Sequence, residues 1–226
     1  MMEHMKKLLP FSLKYLLILV TLLATLQISY ADPTIISLGQ FARIQGITPE
    51  ALTLGLEAYQ CAKEHGEVHN PILTIVDYTK PSTQKRMWII NPEQGRVLYK
   101  LYVTHGKNSG NLYATKFSNK VNSLESSLGV FITENTYDGD YGYSLVLHGL
   151  ERGLNSNAEK RHIIVHQAWY ATGKIVRKYD ILGRSSGCLA IDPKVADSVI
   201  NTIKEGSLVF SYAPSENHDG YVLSCE

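Results

Sequence analysis

Apolar residues recur along this chain with three different spacings, and each spacing predicts a different element. Between Tyr15 and Ile28 they are nearly continuous. After Thr48 they return at helical intervals, Leu52, Leu56, Tyr59 and Ala62, with Thr48 placed as N-cap, Pro49 at the first helical position and Gly66 as the stop. A shorter helix is predicted before it, over 34–44. From residue 71 the pattern changes to short runs of β-branched and aromatic residues bounded by turn formers, which reads as strands. Strands are expected over 72–78, 86–90 and 96–104, with Asn91-Pro92-Glu93-Gln94-Gly95 as a hairpin turn, then over 127–134 and 143–147 around Asp138-Gly139-Asp140. A strand over 161–167 and a final one over 207–212 follow. A short helix is predicted over 170–179 and another from Pro193 to Lys204, capped by Asp192 and stopped by Gly206.

Strands dominate the middle of the chain and no βαβ alternation appears. The expected architecture is therefore mainly β, an antiparallel β sandwich or barrel with flanking helices. The long polar stretch over 105–126 has too few apolar residues to fill a core, and a second polar loop spans 148–160; loops of this length in a compact domain are functional or mobile. Four segments result: a leader over 1–31, a helical segment over 32–70, a β domain over 71–212 and a polar tail over 213–226.

Composition adds little to that picture and excludes some partners. The chain has 226 residues, 44% hydrophobic and 19% charged, which suits an ordinary globule. Lys6 and Lys7 ahead of the apolar run, and Ser29-Tyr30-Ala31 after it, have the form of a secretory signal peptide cut after Ala31. No stable membrane anchor is expected after cleavage, and the destination is the periplasm or cell envelope. Of the 22 basic and 21 acidic residues, the leader holds Lys6, Lys7, Lys14 and Glu3, so the remainder is one unit negative. That balance excludes an electrostatic case for nucleic acid. Oligomeric state is left open. Three cysteines in an oxidising space leave at least one free. Cys61 and Cys225 are available to pair, but Cys61 fits a helix core equally well.

The chemistry concentrates between Arg161 and Asp192. The run Arg161-His162-Ile163-Ile164-Val165-His166-Gln167 suits a strand that places His162 and His166 on one face and delivers His166 to its end. The later Gly183-Arg184-Ser185-Ser186-Gly187-Cys188 is a small-residue turn ending in a cysteine. A thiolate attacks, and an imidazole within reach takes its proton and later returns it to a leaving group. Successive N–H groups of Ser186, Gly187 and Cys188 are candidates to hold an oxyanion. A buried structural cysteine is the plain alternative, against which a glycine and two serines just before Cys188 make poor core packing.

Val165-x-His166 followed by Ser185-x-Gly187-Cys188 resembles the His…Ser-x-Gly-Cys signature of the YkuD-like L,D-transpeptidases of bacterial peptidoglycan, in particular a divergent branch described as the murein L,D-transpeptidase catalytic domain family. Upstream, Ser126-Ser127-Leu128-Gly129-Val130-Phe131 resembles the family's Thr-Pro-x-Gly-x-Phe strand, with Thr-Pro replaced. The sequence departs from the family at Ala190, where arginine or asparagine is common, and at Ser186. The resemblance spans roughly residues 71–212. It implies that Cys188 attacks the third residue of a tetrapeptide stem, expels D-alanine and passes the acyl group to an amine, or to water in a carboxypeptidase. It also implies His166 as base then acid, the backbone carbonyl of Gln167 as the group orienting its ring, and no cofactor or metal. Arg184 is the candidate for a stem carboxylate in place of the missing downstream arginine. Ser185, Arg161, Trp169 and Tyr143, with Tyr170 and His148 nearby, are candidates to line the groove.

Two other readings compete. His162, His166 and Cys188, perhaps with His148, offer zinc ligands, although no Cys-x-x-Cys or His-Glu-x-x-His spacing supports them. A wall-binding module without catalysis is the other, against which an intact His and Cys argue.

Overall fold

The computed structural model describes residues 37–214. The expected leader, Cys225 and the expected polar tail beyond residue 214 lie outside them, while Ala213, expected in that tail, is buried in the core. Two helices come first, α1 (Leu38–Gln45) and α2 (Pro49–Glu64), and among the described residues no helix is long and apolar enough to cross a membrane. Eight strands follow: β1 (Leu73–Asp77), β2 (Met87–Asn91), β3 (Arg96–Leu101), β4 (Gly129–Gly139), β5 (Gly142–Gly149), β6 (Ile164–Gln167), β7 (Leu189–Ile191) and β8 (Leu208–Tyr212). Helix α3 (Gly173–Tyr179) joins β6 to β7, and α4 (Ala196–Ile203) joins β7 to β8.

The strands form one sheet in the order β3-β2-β1-β8-β4-β5-β6-β7. It is mixed rather than purely antiparallel, because β1 runs parallel to β8 and β6 parallel to β7. Strand pairs separated by a long stretch of chain are free to pair in parallel, and α3 is the crossover for the second pair. Beyond the end of β3, Thr104 closes toward the far edge strand. Its N–H donates to the Ala190 carbonyl at 3.1 Å, and its hydroxyl accepts from the Ala190 N–H at 3.1 Å. The sheet is thus nearly closed into a barrel.

Alternation along the strands serves two cores. Leu73 and Ile75 of β1, with Trp88 and Phe210, pack under Leu52, Tyr59 and Ala62 of α2. Val76, Leu145, Val165 and Val209 share the other core with Val199, Ile200 and Ile203 of α4. The helical segment is part of the first core, and Gly55 permits it: a Cβ there would stand 3.1 Å from Ile75 and 3.2 Å from Phe210. Thr48 precedes α2 as expected but makes no side-chain cap. Instead its N–H and hydroxyl both donate to the buried Asp77 carboxylate, at 3.1 and 2.7 Å, tying the helix start to the end of β1.

Several boundaries differ from expectation. The strand expected over 161–167 is only Ile164–Gln167, since residues 159–161 form a 3₁₀ turn and His162 is left-handed, at φ 52°. His162 is therefore outside the strand and does not share a face with His166. Strand β7 directly follows the cysteine turn, where hydrophobic patterning over three residues was too short to predict it. Helix α4 starts at Ala196, because Asp192 caps the turn before it, accepting from the Lys194 N–H at 2.9 Å.

Candidate active site

The parallel pairing of β6 and β7 sets the strand that carries His166 beside the strand that Cys188 leads into. His166 lies opposite Ala190, and Ile164 is one place before the Val165 to Leu189 pair. Cys188 is two residues before Ala190, in the bend that leads into β7. Both residues are buried, His166 2% and Cys188 9% exposed.

Each side chain is held by backbone. The His166 ring has Nδ1 2.8 Å from the Gln167 carbonyl oxygen, which can only accept; Nδ1 therefore carries the proton and Nε2 is the basic nitrogen. Burial lowers the imidazole from its ordinary value, with the Gln167 carbonyl opposing in part. Tyr141, at the tip of the β4–β5 hairpin, lies over the ring with centroids 4.5 Å apart. The Cys188 thiol donates to the His162 carbonyl at 3.3 Å. Burial raises the thiol, while the N–H of Ile164, the Arg161 guanidinium and the N–H of Cys188 itself act in the opposite direction. At rest the pair is a neutral thiol beside a neutral imidazole.

The turn before the cysteine is built from its own side chains. Ser185, 5% exposed, accepts from the Gly187 N–H at 3.1 Å and donates to the Cys188 carbonyl at 2.7 Å. The Gly187 donor is thereby withdrawn from the expected oxyanion set. Gly187 has φ 123°, and a Cβ there would meet the Glu125 carbonyl at 2.7 Å, so glycine is required. Ser185 also bridges to Gly106, anchoring the turn to the long loop.

That loop is tied down. Arg161 donates through Nη1 to the Ser118 carbonyl and Ser127 hydroxyl, and through Nη2 to Ser123 Oγ at 3.2 Å and the Glu125 carbonyl at 2.5 Å. Its charge still reaches Cys188, as the effect on the thiol shows. Arg184 is exposed and donates to the carbonyls of Gly110 and Lys107, at 3.1 and 3.4 Å. Both arginines expected at substrate therefore hold loop carbonyls. At the loop's root, the buried Arg86 contacts His105 Nδ1 at 2.7 Å.

The remaining candidates separate. Tyr143 is adjacent to Ser144, which lies opposite His166, so it points to the other face. There it packs in the α4 core, and its hydroxyl meets Asn201 at 3.0 Å. Trp169 is 73% exposed just past the end of β6, edge-on to Tyr170 at 5.6 Å. The Tyr170 hydroxyl is raised by burial first and by the charge of an ionised Cys188 second. Sequence reasoning missed Tyr141; an exposed aromatic at a hairpin tip was the available signal. Among the described residues, the zinc candidates do not converge. Only Glu134, His148 and Glu159 bring ligand atoms within 4.8 Å of one another.

The sequence profile of the L,D-transpeptidase catalytic domain matches residues 43–212. The chain belongs to this family. The match begins within α1, so the family's domain takes in α2 as well as the sheet. No match was found among curated proteins. Among solved structures, the chain is similar to the Ldtfm-avibactam carbamoyl enzyme at 15% identity and TM-score 0.39, covering 62% of this chain and 48% of that one. It is similar to an L,D-transpeptidase from Mycobacterium smegmatis at 14% identity and TM-score 0.37, covering 65% and 68%. For the helical cell shape determining protein Pgp2 (K307A mutant) from Campylobacter jejuni the values are 10% and 0.37, covering 69% and 48%. The chain thus spans about half the length of the first of these.

Proposed function

We propose that this protein is a peptidoglycan L,D-transpeptidase in which Cys188 carries the acyl group. The observation that supports the reading most is the parallel pairing of β6, which carries His166, with β7, which starts one residue after Cys188, inside a domain of the L,D-transpeptidase family. Rotation of the Cys188 side chain about χ1 takes the sulfur off the His162 carbonyl and toward His166 Nε2. The imidazole takes the thiol proton, and the thiolate attacks the carbonyl of the third stem residue. Catalytic hydrogen bonds of this kind commonly form only when substrate is bound. The N–H groups of Ser186, on the exposed side of the turn, and of Cys188 are the donors that remain for the oxyanion. Collapse of the tetrahedral species breaks the amide bond, and His166 returns the proton to the departing D-alanine amine. An amine of a second stem then resolves the thioester; water in its place gives the carboxypeptidase.

Peptidoglycan lies outside the inner membrane, and the expected leader would bring the chain to it. Incubation of the protein with tetrapeptide muropeptides, followed by mass analysis, tests the reading. Loss of one D-alanine with a new cross-link is expected; loss of D-alanine alone assigns the carboxypeptidase. Recovery of intact tetrapeptide from active-site-titrated protein overturns both.

A further inference from the structure

Strand β4 carries a bulge midway along its pairing with β5. Thr133 pairs with Leu147 and Thr136 with Leu145, so Glu134 and Asn135 together stand against Val146 alone. An extra residue of this kind bends the strand and re-aims the side chains beside it. Glu134 reaches His148 of β5, with Oε1 3.7 Å from the imidazole Nδ1. From a third element, the 3₁₀ turn Glu159–Arg161, Glu159 brings its own Oε1 into hydrogen-bond contact with the same nitrogen. The donor atoms of Glu134, His148 and Glu159 all lie within 4.8 Å of one another. Donors around a tetrahedral zinc ion, at bond lengths of about 2.1 Å, stand roughly 3.4 Å apart, and half-exposed glutamates have the freedom to close the difference.

Charge balance favours an ion at this point. Among the described residues, neither Glu134 nor Glu159 has a lysine or arginine partner. The His148 Nδ1 has one proton at most to offer, and two carboxylates face it. With a neutral imidazole the group carries two negative charges, which a divalent cation cancels. A groove of about 850 Å³, lined by Glu134 and His148 together with Glu67, His69 and Glu205, leaves room for the water that completes a coordination shell. One imidazole nitrogen with two carboxylate oxygens suits zinc better than calcium or magnesium, which prefer oxygen alone.

We propose that Glu134, His148 and Glu159 form a structural Zn²⁺ site that staples the 159–161 turn to the β4–β5 pair. None of the three belongs to the Cys188 and His166 pair, so the site stands apart from the reaction proposed above. Nδ1 of His148 and one oxygen of each glutamate donate to the ion, the hydrogen bond between His148 and Glu159 is given up, and the neutral ring keeps its proton on Nε2. The turn fastened in this way includes Arg161, whose guanidinium holds the long loop, and leads into His162, whose carbonyl receives the Cys188 thiol.

Two measurements on the full chain test this, with Cys188 alkylated beforehand so that its thiol takes no metal. In the first, Zn²⁺ is titrated into the protein by calorimetry. The parent should bind one equivalent, and His148→Ala and the Glu134→Gln/Glu159→Gln double variant should each bind at least about tenfold more weakly, since even groups that only support metal ligands change affinity by that much. The three side chains are 41–51% exposed, so these variants leave the core untouched. Ca²⁺ at equal concentration should not displace the zinc. No saturable binding by the parent means that His148 and its glutamates are an ion pair only, and overturns the site, as does equal affinity in parent and variants; displacement by Ca²⁺ overturns the choice of zinc. In the second, amide hydrogen exchange is followed by mass over residues 158–163. Zn²⁺ should slow it by at least about threefold in the parent and leave His148→Ala unchanged. Exchange that does not respond to Zn²⁺ in a parent that binds it overturns the staple.

Discussion

The thiol of Cys188 points at the His162 carbonyl, 3.3 Å away, and among the described residues no hydrogen bond joins it to His166. Burial favours the neutral form of both groups, which distinguishes them from a thiolate and imidazolium pair held ready in the absence of substrate.

Alkylation by a small neutral reagent reads this state directly, because only the thiolate reacts. The rate should rise with pH, with a midpoint above the ordinary thiol value of about 8.5. Arg161→Gln removes a positive charge that stabilises the anion, so its midpoint should lie higher still. His166→Ala should abolish turnover while leaving the alkylation midpoint almost in place, since a neutral ring contributes little charge. A parent midpoint below 8.5 would contradict the neutral pair.

Tyr141 covers the His166 ring, and burial is the main cause of that ring's lowered value. Tyr141→Ala should admit water and return the imidazole toward about 6.5. The base form is the active one, so the acidic limb of kcat/KM should move to higher pH. Titration of the His166 ring by NMR in parent and variant checks the shift independently of substrate.

Gly187→Ala should damage the fold of the turn rather than remove a chemical group. The left-handed backbone and the close Glu125 carbonyl make the added methyl strained. A loss of roughly 2 kcal/mol in urea denaturation is expected. Denaturation equal to the parent would mean that the turn relaxes at no cost.

His105 is fully buried beside Arg86, and burial first, then that positive charge, holds its imidazole down at about 4. The unfolded chain binds a proton at about 6.5 that the folded chain refuses. The stabilisation is therefore complete above about 6.5 and is lost as pH falls toward 4, by an amount on the order of 3 kcal/mol. His105→Gln should flatten this part of the stability profile, measured by denaturation at stepped pH.

Much of this arrangement was legible in the chain. Runs of β-branched and aromatic residues located β1, β2 and β8, and Pro49 with Gly66 bounded α2 within two residues. His166 and Cys188 stood out because glycine and serine surround a cysteine that a core would have surrounded with apolar residues. The pairing of β6 with β7 was not legible, since 22 positions separate the two residues and such a pairing is a long-range choice. The placement of Arg161 and Arg184 was equally hidden. A guanidinium aimed at a ligand and one aimed at a loop carbonyl have the same local sequence. Tyr143 was misplaced by a single step of strand parity, which depends on where a strand's register begins.

Arg161 couples two things that look separate. One guanidinium fastens the 105–126 loop through three of its oxygens, with Ser127 as a fourth acceptor just beyond it, and also favours negative charge on Cys188. Binding equilibria linked through a shared group are reciprocal. Anything that lifts the loop and frees Arg161 changes the acidity of the sulfur, and ionising the sulfur in turn changes how firmly the loop is kept. The polar stretch is thus a thermodynamic handle on the nucleophile, and its opening and closing should be visible in the protonation of a single thiol.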